Sequence, residues 1–252
     1  MQKERIKSLL FKVLRQKFNS YKPETSYMPF HTRLLGKDRM ALYSFIQSLN
    51  TNFGTSIFEP VAAELAKNKF DIIQRQVIAG EHISKDARNV IADIMDSLES
   101  ARLKPDKNDE TRQIKALAKS GEIIMIKPTK VDLFLQNKNE IYLIDIKTAK
   151  PNKGGFKEFK RTLLTWIAAL AYKEPNAKIK SLIAIPYNPY EPKPYERWTM
   201  AGMLDLKEEL KVAKEFWDFL GGEGSYELIL ESFEEVGLEM REEIDKYFKN
   251  FI

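Results

Sequence analysis

The chain has 252 residues, 43% of them hydrophobic, which suits one large domain or two small ones with a real core. It has no cysteine and only two histidines, His31 and His82, so disulfides and Cys-based zinc sites are excluded, and a histidine metal cluster or a Ser-His-Asp triad is disfavoured. The net charge of +5 is uneven: residues 206–252 carry −7 and residues 1–205 carry +12, a basic body that suits a polyanionic partner, although a lysine-rich solvated surface would give the same sum.

The N-terminal run MQKERIKSLLFKVLRQKF scatters its charges and lacks a cleavage-site pattern, so a folded helix is expected there rather than a secretory signal. Ile6, Leu9, Leu10, Val13 and Leu14 stand at helical spacing within residues 3–18. YKPETSYMPFHTRLLG, with two prolines, reads as a loop. A second helix is expected over 38–50, with Leu42, Phe45, Ile46 and Leu49 on its apolar face, and Gly54 separates it from a third over 56–67. Residues 84–103 form an amphipathic helix that Ser84 can cap. KPDKNDE (104–110) reads as a polar loop, and a short helix follows that stops at Gly121.

Three strand-like runs come next: EIIMIKP (122–128), KVDLFLQ (130–136) and EIYLIDIKTA (140–149), with QNKN as the turn between the last two. Residues 156–173 form a helix containing the longest apolar run, LLTWIAALAY, about half of the ~20 residues that a membrane span requires. IKSLIAIPY (179–187) is a strand with few polar side chains, as a buried position demands. NPYEPKPYERW is a loop, and three helices close the chain. No long linker divides these elements. The expectation is a single α/β (α+β) domain over residues 1–252, with a mixed central sheet flanked by helices. Its core would lie at about 54–187, with a helical insertion at about 80–120 and a helical C-terminal region at 205–252. The expected location is cytoplasmic.

Asp132, Asp145 and Lys147 sit inside the two apolar runs of the expected hairpin, where charge is costly. Residues two apart on a strand share a face, so Asp145 and Lys147 point one way, and Tyr142, Ile144 and Ile146 point the other way into the core. A tight hairpin brings Asp132 close to Asp145. Two adjacent carboxylates repel, and a divalent cation resolves the conflict, with Lys147 placed to hold or polarise a water molecule. This is equipment for metal-assisted phosphodiester hydrolysis. The acid-x-Lys pattern alone is weak, since it recurs at Glu158–Lys160, Glu191–Lys193, Asp205–Lys207 and Glu209–Lys211, in segments that read as polar and solvated. The competing account of Asp145 and Lys147 is a surface ion pair on the exposed face of an edge strand.

VDLFL…IDIKTAK resembles the PD-(D/E)xK nuclease superfamily, whose core runs helix, three strands, helix, strand, the order read here over residues 54–187. Val131 stands where that motif often has proline. The resemblance implies that Asp132 and Asp145 are metal ligands, with Mg2+ the expected ion, and that Lys147 is the catalytic lysine. Many such nucleases also carry a glutamate on the first core helix. GTSIFEP offers Glu59, although Ser56-x-x-Glu59 also reads as a capping box and Glu64 is a rival on the same helix.

Beside such a motif, the run from Lys147 to Arg161, with six bases and one acid, reads as contacts to a DNA backbone through Lys150, Lys153, Lys157, Lys160 and Arg161. Asn188, Lys193 and Arg197 in the loop after the last core strand are candidates for contacting DNA, and Asn and Arg can read base edges. The helices added to the core resemble those of type II restriction endonucleases. The tail FWDFLGGEGSYELILESFEEVG (216–237) looks like the ends of the TdeIII type, a group associated with the site GGNCC. Phe216, Trp217, Phe219 and Leu220 within it read as core or dimer packing. The resemblance implies a homodimer making Mg2+-dependent cuts in double-stranded DNA within a restriction system. A structure-selective repair or junction-resolving nuclease, and a non-catalytic DNA-binding module on the same fold, are the rival readings.

Overall fold

The computed structural model describes residues 2–22, 28–147, 155–196, 200 and 202–249. They group into two compact units, one built from residues 1–65 and 224–252, the other from residues 66–223. No change of composition marks this division in the sequence, because the first unit is assembled from the two ends of the chain.

In the first unit, helix α1 (Gln2–Ser20) buries Ile6 and Leu10, as their spacing predicts. Helix α2 (Pro29–Leu35) forms inside the segment expected to be a loop; its proline stands at the first turn, where a missing N–H costs nothing. Helix α3 (Lys37–Asn52) buries Met40, Ala41, Ser44 and Phe45, while Leu42 and Ile46 are exposed, so the apolar face is turned from the one expected. Gly54 does not break the chain. A π-helical turn (Phe53–Phe58) runs from α3 straight into α4 (Glu59–Ala66). Pro60 accounts for the widened turn, because its ring would collide with the carbonyl four residues back in a regular α-helix. Ser56 therefore lies within a helical run and starts no helix, which removes the capping-box reading of Ser56 and Glu59.

The acidic C-terminal end meets its partners here. Helices α9 (Ser225–Glu239) and α10 (Arg241–Lys249) face α1, where Lys3 pairs with Glu235 at 2.7 Å, Lys7 with Glu239 at 2.7 Å and Arg15 with Glu243 at 2.7 Å. Phe18, Phe45, Tyr247 and Phe248 stack into one aromatic cluster. Part of the charge asymmetry in the sequence is thus an internal pairing of the two chain ends.

The second unit holds a five-stranded mixed sheet flanked by helices. Its order is β1 (Ile72–Ile78), β4 (Lys130–Asn137), β5 (Glu140–Ile146), β6 (Lys178–Ile185) and β7 (Leu210–Val212). The β1–β4 and β4–β5 pairs are antiparallel, and the β5–β6 and β6–β7 pairs are parallel. Helix α7 (Gly155–Lys173) connects β5 to β6 as parallel strands require.

Two strands differ from the sequence reading. The first strand of the meander is Ile72–Ile78, ahead of the insertion, and not 122–128. The latter contributes β3 (Ile123–Met125), which pairs with β2 (His82–Ser84) in a separate two-stranded clasp. The clasp closes the insertion, which carries helices α5 (Lys85–Glu99) and α6 (Lys107–Ala116). The region expected to be purely helical after residue 205 supplies the edge strand β7 before helix α8 (Lys214–Gly221).

Ser84 does cap α5, its hydroxyl accepting from the Ala87 N–H at 2.9 Å. Asp106 caps α6, so that helix begins inside the expected loop. The core forms between one sheet face and the helices: Ile91, Ile94, Met95 and Leu98 of α5 pack with Leu163, Leu164 and Ile167 of α7 and with Ile141 and Leu143 of β5. Ile144 and Ile146 are buried on the other face. The central strand β5 is therefore covered on both sides, and the face bearing Asp145 is as much core as the face opposite.

Candidate active site

The hairpin β4–β5 turns through two residues between the paired Asn137 and Glu140, with Lys138 taking the left-handed backbone such a tip demands (φ 53°). Its register fixes what meets at the far end. The last ladder pair is Leu133 with Ile144, and one step beyond it the same register sets Asp132 across from Asp145. The backbone ladder ends there. The N–H of Ile146 is instead taken by Asp132 Oδ2 at 2.9 Å, so a side chain replaces a strand carbonyl as the strands part.

Asp145 is 5% exposed. It lies on the central strand, paired through β6 with Ile183, and Lys147 continues that pairing, its N–H donating to the Ala184 carbonyl at 2.9 Å. A surface ion pair on an edge strand is therefore not what these residues form. Lys147 Nζ stands 2.7 Å from Asp145 Oδ1 and 4.6 Å from the centre of the Phe159 ring, so a carboxylate and an aromatic face hold the ammonium from two sides. Gly155 is required by that ring: a Cβ there would lie 2.8 Å from Phe159 Cζ.

Burial pushes the Asp145 carboxyl up to about 6, the Lys147 ammonium pulls it back, and the neighbouring Asp132 raises it again by charge and by hydrogen bonding. Asp132 is also gripped from β1, Gln76 Nε2 donating to its Oδ1 at 3.0 Å. Two adjacent carboxylates, one of them buried, stand beside one ammonium. Hard oxygen donors of this kind fit a small divalent cation that keeps several waters and takes one or two carboxylates. Among the described residues, no group of three or more His, Cys, Asp or Glu side chains comes together to hold a metal.

Glu59 opens α4 and is 3% exposed; Glu64 on the same helix is bound to Arg5 of α1. Both belong to the first unit, whereas Asp132, Asp145 and Lys147 belong to the second.

The expected DNA contacts divide. Lys150, Lys153 and Arg197 lie outside the described residues. Lys157 is exposed and pairs with Glu99 at 2.6 Å, and Arg161 and Lys193 are exposed. Lys160 is fully buried and cannot reach a phosphate. It is bound to Glu110 at 2.5 Å and Glu209 at 2.6 Å, while Lys107 binds the other oxygen of Glu209 at 2.6 Å. This corrects the reading of Lys160 as a backbone contact, and of Glu158–Lys160 and Glu209–Lys211 as wholly solvated. A signal was present: Lys160 stands four residues after Phe156 and three before Leu163, on the apolar stripe of α7. Asn188 is half-buried. Its amide donates to the Lys193 carbonyl at 2.7 Å and accepts from the Tyr190 N–H at 3.0 Å, so it shapes the loop from within. In the tail, Phe216, Trp217 and Leu220 are buried, and Trp217 Nε1 donates to the Pro186 carbonyl at 2.7 Å, as core packing requires. Gln76 was missed, because the strand that carries it was not read as one.

The profile of a family described as "Type II restriction endonuclease, HinfI" matches residues 1–237. The chain is similar to the type II restriction enzyme MjaII of Methanocaldococcus jannaschii, 26% identical over 248 residues, covering 87% of this chain and 66% of that enzyme. It is also similar to two type II restriction enzymes of Herpetosiphon aurantiacus. HgiEI is 28% identical over 240 residues, covering 91% of this chain and 85% of that enzyme; HgiBI is 26% identical over 222 residues, covering 86% and 79%. The chain thus spans slightly less than two thirds of MjaII and most of the other two. These matches do not bear on the TdeIII likeness of residues 216–237. No described helix is long and apolar enough to cross a membrane.

Proposed function

Because the chain belongs to the HinfI family of type II restriction endonucleases, we propose that it makes Mg2+-dependent, sequence-specific double-strand cuts in DNA, acting as a homodimer. The observation that carries this reading is the buried Asp145 on the central strand, set across from Asp132 and 2.7 Å from Lys147. Asp132 and Asp145 would hold the cation. When bound, the cation supplies charge stabilisation at the scissile phosphate and lowers the pKa of an attacking water.

The chain's own groups do the rest. The Lys147 ammonium, aimed by Asp145 and the Phe159 ring, holds the water in line with the phosphorus and stabilises the charge that develops on the phosphorane. Water adds to phosphorus and gives up a proton, and the 3′-oxygen leaves and is protonated, giving a 5′-phosphate and a 3′-hydroxyl. The burial that raises the Asp145 carboxyl also keeps bulk water from competing for these positions. Lys157, Arg161 and Lys193 contact the DNA backbone. The two-fold symmetry of a homodimer suits a palindromic site. The likeness of residues 216–237 to the TdeIII type supports GGNCC as the first site to try.

The test is digestion of phage-sized duplex DNA and of a plasmid with a single GGNCC site, with Mg2+ and with EDTA, beside Asp145→Ala. Discrete Mg2+-dependent bands are expected, with cleavage by the variant lower by at least about 10³-fold, since an essential group at the reacting centre is removed. A smear would leave a nuclease without sequence specificity. Cleavage of branched DNA alone would give the structure-selective reading, and Mg2+-independent binding without cleavage would give the binding module.

A further inference from the structure

Strand β1 departs from extended geometry at Gln76, which has a φ of 55°. A residue other than glycine, asparagine or aspartate seldom adopts this left-handed region, least of all within a strand. The register does not slip around it: Arg75 pairs with Leu133 and Val77 with Val131, so Gln76 stands across from Asp132. The strained residue is the one whose side chain grips a carboxylate of the site, Nε2 to Oδ1 at 3.0 Å. The other oxygen of Asp132 is held by the Ile146 N–H at 2.9 Å. Asp132 is thus clamped from both neighbouring strands, by an amide side chain on β1 and a backbone amide on β5. With both oxygens held, the carboxylate cannot turn about its terminal torsion, which is otherwise broad. Backbone strain persists where the surroundings over-determine it, and such places cluster at functional sites.

We propose that Gln76 is a positioning residue for the cleavage reaction: its amide fixes the orientation in which Asp132 presents its carboxylate to a divalent cation, and the left-handed backbone is what brings the amide there. This rests on the reading of Asp132 as a cation ligand. Outer partners that orient a ligand typically contribute 10–100-fold to affinity or rate.

The test compares Gln76→Gly, which removes the amide and relieves the backbone, with Gln76→Glu, which keeps the shape and replaces the donor by an acceptor. Asp132→Ala is the control. Ca2+ serves as the probe of binding without cleavage, titrated by calorimetry, and Mg2+-dependent cleavage gives kcat and KM. Both Gln76 variants are expected to bind Ca2+ about 10–100-fold more weakly and to lose a similar factor in kcat, with KM for duplex DNA within about twofold. Unfolding midpoints close to that of the unaltered chain separate these losses from misfolding. A Gln76→Gly variant with unaltered Ca2+ affinity and kcat overturns the proposal. So does an unaltered Gln76→Glu, since the donor would then be dispensable. If Asp132→Ala cleaves normally, the reading of the site fails; if it is inactive while both Gln76 variants behave normally, only this inference fails.

Discussion

The second unit buries charge in two places and treats it in opposite ways. Between α6, α7 and the residue before β7, Lys107, Glu110, Lys160 and Glu209 form a closed set: two ammoniums, two carboxylates and contacts of 2.5–2.6 Å, with a backbone N–H of Asp205 reaching Glu209 at 2.9 Å. Burial drives Glu209 up, but Lys107 and Lys160 outweigh it and hold the carboxyl below its usual range. At the end of the β4–β5 hairpin, two carboxylates share one ammonium, and burial wins: Asp145 is pushed up to about 6. The first set is neutral by count, two ammoniums to two carboxylates, although burial still raises the Glu110 carboxyl and lowers the Lys107 ammonium. The second sets two carboxylates, Asp132 and Asp145, beside one ammonium, Lys147. Residual, unbalanced charge at a buried position is what a site awaiting a cation should show, whereas balanced charge is what a structural junction should show.

Removing a cation from the closed set should produce the larger effect. Lys160→Met keeps the volume but leaves two buried carboxylates with Lys107 alone, and a loss of about 3–5 kcal/mol of unfolding free energy is expected. Urea unfolding measures it, and a loss under about 1 kcal/mol would show that the set is not the junction the geometry implies.

The hairpin carboxylate Asp145 should behave in the reverse sense. The folded pKa of Asp145 lies above its unfolded value, so the ionised group opposes folding. That penalty is absent below about pH 4, grows as pH rises to about 6 and is constant above. Asp145→Asn should therefore stabilise the cation-free protein at pH 8 by roughly 2–3 kcal/mol, with the gain gone by about pH 4. The stability gain and the lost cleavage would be two consequences of one buried charge. A destabilised variant at pH 8 would mean that the Lys147 contact, and not burial, dominates.

The smallest effect separates the basic residues of α7. Arg161→Ala should weaken DNA binding a few-fold and reduce the slope of log affinity against log salt by about 1. Lys160→Met, in its folded fraction, should leave that slope unchanged. Equal slopes for the two variants would erase the distinction between an exposed and a buried base on one helix.

How much of this was legible follows the range of the interactions. The hairpin of 130–136 and 140–149 could be read because its signals are local: closely spaced β-branched runs and the turn QNKN. A tight hairpin brings Asp132 close to Asp145, and the observed register sets the two across from each other. Helix α5 announced itself with Ser84, and α7 with its length and apolar stripe. The edge strands could not be read in the same way. Ile72–Ile78 carries Gln74, Arg75 and Gln76 because it is covered only in part, and it becomes a strand by pairing with residues more than fifty positions away. Ile123–Met125 looks more like a core strand, yet its partner is the clasp strand His82–Ser84.

The sequence by itself determined the fold class, the hairpin and the identity of the charged residues placed within it, since local propensity and period carry those. Only the tertiary structure decided which charges are buried and balanced, which are buried and left in excess, and that Gln76 reaches Asp132. A charge is solvated or desolvated by whatever segments pack around it, and those segments come from distant parts of the chain.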